Sequence, residues 1–134
     1  MIPIRHVIAA IAERSDGKVL LLKRSPTRHL SPNKWSFVNG YIEPDESPEQ
    51  TAIRELGEEL GIAGIAPSAS GKSFKVSTPV ETIYVYPFLF KIGDAPFQLN
   101  NEHSEYIWIT PQEVYQYDCV PQVDEDLIAV GLLD

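Results

Sequence analysis

The sequence predicts a mixed α/β domain, and three features carry that expectation. Two long apolar, β-branched runs lie near the N-terminus, from His6 to Ala12 and from Val19 to Leu22. A fully capped helix spans Ser47 to Gly61. An aromatic strand runs from Val80 to Ile92, with Tyr84, Tyr86, Phe88 and Phe90 at alternate positions. Strands before and after a helix, with no repeat, low-complexity segment or linker between them, read as one domain over residues 1–134.

In chain order, His6 to Ala12 is too continuously apolar for a half-solvated strand, so burial on both faces is expected. Ser15-Asp16-Gly17-Lys18 follows, and Asp-Gly is a hairpin turn signal leading into Val19–Leu22. Lys23 and Arg24 close that second strand. Ser25 to Asn39 carries Pro26, Pro32, Asn33 and Asn39 and reads as a loop anchored by Trp35 and Phe37.

The helix has Ser47 as N-cap, Pro48 at its first position and Gln50 three after the cap, with Gly61 placed to end it in a left-handed conformation. Ile65 to Lys75 is ambiguous, and Gly93 to Ser104 reads as polar loop. Tyr106 to Ile109 reads as a short strand, Thr110-Pro111-Gln112-Glu113 as a second capping box opening a helix toward Tyr117, and Asp124 to Leu133 as a last helix. On the aromatic strand Tyr84, Tyr86 and Phe88 could stack on a base, but core is the expectation for at least two of them.

Composition narrows the function. The hydrophobic fraction of 43% supports a sizeable core, and 22% charged residues is ordinary for a globular chain. A net charge of −8 argues against a grip on long nucleic acid, which needs clustered Lys and Arg. A small phosphorylated substrate stays open if metal ions supply the positive charge. Cys119 is the single cysteine, so no internal disulfide can form, which suits a reducing cytoplasm. Met1 to His6 lacks the basic and apolar pattern of a leader, and no apolar stretch approaches membrane-spanning length.

The chemistry concentrates between Gly40 and Ile62. On a helical wheel Ala52, Ile53, Leu56 and Leu60 gather on one side and Glu55, Glu58 and Glu59 on another. Three carboxylates at such spacing repel one another, and no lysine is interleaved. An acidic face is ordinarily just solvated. Here hard divalent cations would relieve the repulsion through carboxylate oxygens. Gly57, inside the helix, costs roughly 1 kcal/mol relative to Ala, which suggests close approach of another group. Gly40 begins a loop expected to bring its backbone near the acidic face.

This segment resembles the Nudix box, G-x5-E-x7-R-E-U-x-E-E-x-G-U with U a bulky aliphatic residue. Gly40, Glu46, Arg54, Glu55, Leu56, Glu58, Glu59, Gly61 and Ile62 fill all nine specified positions. The likeness extends to Leu20-Leu21-Leu22-Lys23-Arg24-Ser25 upstream, and to Glu102–Tyr106, Trp108 and Thr110-Pro111 downstream. One departure is Val38-Asn39-Gly40, where many members carry Pro-Gly-Gly; it bears on the lip of the substrate pocket.

The resemblance implies the Nudix fold, a mixed β-sheet sandwiched between helices. It also implies hydrolysis of a pyrophosphate bond in a nucleoside diphosphate-linked compound, with Mg²⁺ as cofactor and Mn²⁺ as a substitute. The expected substrate is a nucleoside triphosphate, giving the monophosphate and pyrophosphate. Glu55, Glu58 and Glu59 are implied as metal ligands, with the Gly40 carbonyl completing part of the shell. Arg54 is implied to orient Glu55, and Glu46 to pair with Arg54. Glu55 is the first candidate for general base and Glu59 the second; Glu81, Glu102 and Glu105 are candidates for an additional ligand or base. Arg24 and Lys23 are expected to steer phosphates, although strand alternation leaves one of them to solvent. Glu102, His103 and Glu105 are expected to read the base or sugar from a loop that stands apart from the metals. His6 and His29 have no supporting context.

Four other readings have weaker support. Pro79 lies beyond the box, in the rough vicinity where an ADP-ribose pyrophosphatase carries a proline, though in loose register; cleavage of ADP-ribose or a nucleotide sugar is the alternative it suggests. A dinucleoside-polyphosphate enzyme would carry a tyrosine earlier than Tyr84. A non-catalytic nucleotide-binding or regulatory module would show a degraded box. An isomerase of this fold would need a catalytic cysteine, and Cys119 lies in an unmatched context. A homodimer is compatible with all of these.

Overall fold

The computed structural model describes residues 2–28 and 31–134, so His29 lies outside the described residues. Strand β1 (Ile4–Glu13) is its spine. It pairs in parallel with β7 (Thr82–Lys91) along its whole length, from Ile4↔Thr82 to Glu13↔Lys91. Its other edge takes β4 (Val38–Tyr41) antiparallel from Val7↔Tyr41 to Ala10↔Val38. Strand β2 (Val19–Arg24) meets β1 only at Glu13↔Val19 and then pairs with β3 (Trp35–Ser36) and β8 (His103–Ile109). The short β5 (Ala69–Ser70) and β6 (Phe74–Ser77) pair with β7.

Both faces of this mixed sheet are covered, which is why β1 is continuously apolar. Ile8, Ala10 and Ala12 join Leu20, Leu22, Phe88 and Phe90 beneath helix α1 (Pro48–Leu60), which contributes Ala52, Leu56 and Leu60. On the opposite face Ile11, Leu21 and Leu89 pack with Val114 of a 3₁₀ helix (Pro111–Gln116) and Leu127 of helix α2 (Val123–Ala129). The sandwich of a mixed sheet between helices is therefore present. Val7, Ala9 and Val85 form a separate small cluster farther along that second face. No helix among the described residues is long and apolar enough to cross a membrane.

Local signals hold where they act within a few residues. The Ser47 hydroxyl accepts from Gln50 N, the Gln50 side chain accepts from Ser47 N at 2.8 Å, and Gly61 ends α1 at φ 72°. The reciprocal Thr110–Glu113 box forms too, but it opens a 3₁₀ helix. The Asp16-Gly17 turn closes, with Gly17 at φ 86°. Its hairpin does not continue, because β4 occupies the edge of β1 that β2 would have used.

Other expectations are corrected. The expected loop Ser25–Asn39 ends in β3 and the start of β4, since pairing with β2 and β1 outweighs the weak strand preference of Asn39. The last strand begins at His103, not Tyr106, because β2 supplies partners that far. Gly57 has no close neighbour to explain it: a β-carbon there would meet only the Ile62 carbonyl, at an ordinary 3.7 Å. Phe88 is core and Tyr86 packs against it, as expected, while Tyr84 stacks on His6 at 5.3 Å between ring centroids.

Asp126 on α2 is buried, and its Oδ1 has no partner among the described residues. Desolvation holds its pKa well above the ordinary value of 3.8. A carboxyl that binds its proton more tightly when folded makes stability fall as pH rises from the unfolded pKa through the folded one. Thermal unfolding between pH 4 and 8 should therefore show a shallower fall in Tm with rising pH for Asp126→Asn than for the wild type. Parallel curves would show that Asp126 carries no such linkage.

Candidate active site

Gly40 on β4 pairs with Ile8, so it faces α1. A β-carbon at Gly40 would overlap Cγ and Cδ of Glu55 and lie 2.7 Å from its Oε1. Only glycine lets the strand come this close to the helix, so the expected close approach occurs here, within a strand rather than a loop.

Arg54 is the hub of the outer carboxylates. Its Nε and NH2 donate to the two oxygens of Glu46 at 2.8 and 3.0 Å. Its NH1 donates to Glu55 at 2.9 Å and to Glu58 at 3.1 Å. The buried Thr51 hydroxyl adds a 2.9 Å donation to Glu46. The Arg54 guanidinium, helped by that hydroxyl, holds the Glu46 pKa down to about 2.

The inner carboxylates behave oppositely. Glu59 is 2% exposed and lies on the core side of α1, whereas Glu58 is 55% exposed, so the three glutamates do not share one solvent face. Burial raises Glu55 to about 8, reinforced by the closeness and charge of Glu59 and by the charge of Glu58. Burial likewise raises Glu59 to about 8. His103 Nε2 lies 2.6 Å from Glu59 Oε1, and burial lowers the His103 pKa to about 4, so at neutral pH the ring is uncharged and the two groups share a hydrogen bond. Glu59 Oε2 is buried without a partner among the described residues. Single ligand atoms of Glu59, Glu102 and His103 all lie within 4.8 Å of one another. Hard oxygen donors crowded together, one of them orphaned, fit a hard divalent cation.

These groups line one end of a cavity of about 530 Å³, with Arg24 and Arg28 supplying positive charge. The cavity continues over Val7, Val76 and Ile83 on the sheet. Strand alternation separates the two basic candidates. Arg24 is buried on the cavity, whereas Lys23 sits over the Trp35 ring and pairs with Glu105 at 3.4 Å. Neither Lys23 nor Glu105 lines the cavity. Glu81 does, at the β6–β7 turn, 3.6 Å from Arg5 and outside the cluster around Glu59. Glu102 and His103 do not stand apart from the carboxylates as expected; β8 carries His103 straight to Glu59, and Glu102 sits 3.6 Å from Arg28. Arg28 gave no signal in the sequence, because its place depends on how distant elements fold together, whereas Asn39 belongs to the departure from Pro-Gly-Gly that the sequence set at the lip of the pocket, and it lines the cavity. Cys119 is half-buried on the far side of β3, its thiol raised to about 11 by burial.

A family model described as the NUDIX domain matches residues 3–130. The chain is 37% identical over 118 residues to a CTP pyrophosphohydrolase of Escherichia coli (strain K12), covering 87% of this chain and 83% of that protein. It is 31% identical over 130 residues to the nucleoside triphosphatase NudI of Salmonella newport (strain SL254), covering 90% and 92%. Among solved structures it resembles the MutT protein of Methanosarcina mazei Go1, with TM-score 0.82, 26% identity and coverage of 93% and 90%. It also resembles the E. coli ORF135 protein, with TM-score 0.77, 32% identity and coverage of 96% and 89%.

Two outcomes follow from this geometry. Gly40→Ala should lose about 1–3 kcal/mol in urea unfolding, because its methyl must push Glu55 aside; a change within a few tenths would mean that β4 and α1 separate freely. In chelator-treated protein, carboxyl ¹³C NMR should show the Glu55–Glu59 pair retaining a proton toward pH 8. Titration of both groups near the ordinary 4.5 would overturn the assignment of a shared, desolvated site.

Proposed function

The chain belongs to the NUDIX domain family, and on that premise we propose that it is a magnesium-dependent pyrophosphohydrolase converting a nucleoside triphosphate to the monophosphate and pyrophosphate. The observation that carries this reading is the orphaned Glu59 Oε2, buried beside Glu55 on a cavity that also holds Arg24 and Arg28. A charged carboxylate in that position is costly unless a cation, or in metal-free protein a retained proton, neutralises it. The names of the two relatives, one for CTP and one for nucleoside triphosphates, supply the substrate class.

Glu55, Glu59 and Glu102 would hold the cation, with the Gly40 carbonyl and Glu58 at the margin. When bound, Mg²⁺ supplies the positive charge that offsets the phosphate oxygens and makes a water more acidic; Mn²⁺ can stand in for it. The protein's own groups do the rest. Arg24 and Arg28 draw in the phosphate chain. His103 fixes one oxygen of Glu59, and the Arg54–Glu46 pair fixes Glu55, so neither carboxylate swings away. Glu55 takes the proton as water attacks phosphorus and the bond to the leaving pyrophosphate breaks. Lys23, Glu105 and Cys119 have no part in these steps.

Pyrophosphate release from the four common nucleoside triphosphates should require Mg²⁺ or Mn²⁺ and stop with chelator. Glu59→Gln should cost about 10²-fold or more in kcat while keeping the circular dichroism of the wild type. Undiminished turnover in metal-free buffer, or a Glu59→Gln variant within a few-fold of wild type, would overturn the proposal.

A further inference from the structure

Asn39 occupies a distinctive place on the cavity wall. It pairs with Ala9, so it lies on the sheet face opposite to that of Gly40, beside Val7 and Tyr41. Val7 gives an apolar surface beside it, and farther across the sheet the cavity runs over Val76 and Ile83. Asn39 Oδ1 is buried there and has no partner among the described residues. The polar groups at the far end of the cavity, by the β6–β7 turn, are engaged with one another or with Arg5. The Thr78 hydroxyl donates to the Glu81 carbonyl at 3.0 Å and accepts from Glu81 N at 3.0 Å, and Glu81 pairs with Arg5. The catalytic carboxylates lie next door, since Gly40 is the following residue on the strand and touches Glu55. A substrate held by its phosphates at Glu55, Arg24 and Arg28 would extend its remote end onto Asn39.

We infer that Asn39 is a specificity-determining residue that reads the edge of the nucleobase, favouring bases with an exocyclic amine beside a ring nitrogen, cytosine and adenine. The inference rests on the reading of a nucleoside triphosphate substrate. The buried Oδ1 accepts from the amine, and Nδ2 donates to the ring nitrogen, the pairing that a carboxamide makes with such an edge. Val7, on the same face, gives the flat base an apolar surface beside that pair. A site built to satisfy a polar edge rejects a mismatched one strongly, because its own buried group is then left bare. At the edge remote from the sugar, uracil and guanine place an oxygen and an N–H where the amine and ring nitrogen of cytosine and adenine stand, so they meet Oδ1 with an acceptor; the N2–N3 pair of guanine lies on the sugar side instead.

The test compares wild type, Asn39→Ala and Asn39→Asp with CTP, ATP, UTP and GTP in Mg²⁺. The wild type should prefer CTP or ATP. Asn39→Ala should raise KM for the preferred nucleotide roughly tenfold, with much less effect on kcat, and should flatten the ratio between bases. Asn39→Asp, which accepts but cannot donate, should move preference toward GTP and UTP, whose N–H groups suit a carboxylate. Binding of CMP and AMP to metal-free protein, followed by the Asn39 side-chain amide signal in ¹⁵N NMR, gives a readout independent of turnover. That signal should shift with either ligand and be absent in both variants. Wild-type preference for GTP or UTP, or base ratios in both variants within twofold of wild type, would overturn the inference. If no triphosphate is hydrolysed, the proposed function fails, and the inference is then decided by CMP and AMP alone: no shift of the Asn39 amide overturns it.

Discussion

The contact of Gly40 with Glu55 is the constraint on which the site depends. Without a side chain at Gly40, β4 can lie against α1 closely enough to bury the Glu55 carboxyl. That proximity does two things at once. It excludes water from the inner carboxylates, which raises their proton affinity. It also brings the opposite face of the same strand, at Asn39, onto the cavity that those carboxylates border.

The carboxylates of α1 and its approach divide into two electrostatic classes through the side chains around them. Glu46 and Glu58 lean on Arg54, where charge meets charge near solvent. Glu55 is shared, touching Arg54 on one side and Glu59 on the other. Glu59 is the most buried and has a neutral imidazole beside it. Such an arrangement does little for stability in the absence of a cation, because desolvated like charges oppose folding. Its energetic sense lies in ligand binding. A cation that satisfies these oxygens removes the repulsion and stabilises the fold at the same time.

The sandwich supports this by supplying rigid elements on both sides. β1 is central: β7 holds one edge in long parallel register, and β4 and β2 share the other. Because β4 takes most of that edge, β2 splays toward β8, and β8 brings His103 to Glu59 of α1. The hairpin that does not continue and the histidine that reaches Glu59 are thus consequences of one competition for hydrogen-bonding edge.

The sequence by itself determined the elements whose causes are local: the capping boxes at Ser47 and Thr110, the glycine stop at Gly61, the Asp-Gly turn and the strands β1, β2 and β7. It also placed Glu58 and Glu59 one turn from Glu55, since helical spacing alone makes them neighbours. Tertiary structure decided the rest. Which glutamate is buried and which solvated depends on what packs over α1. That Arg24 faces the cavity while Lys23 turns to Glu105 depends on the side of β2 that β8 and the loop leave open. Asn39 and Arg28 enter the cavity through pairings between strands far apart in the chain. Gly57, singled out by its place inside the helix, had no close neighbour, while Gly40 did, because close approach is a property of two elements and neither sequence position encodes its partner.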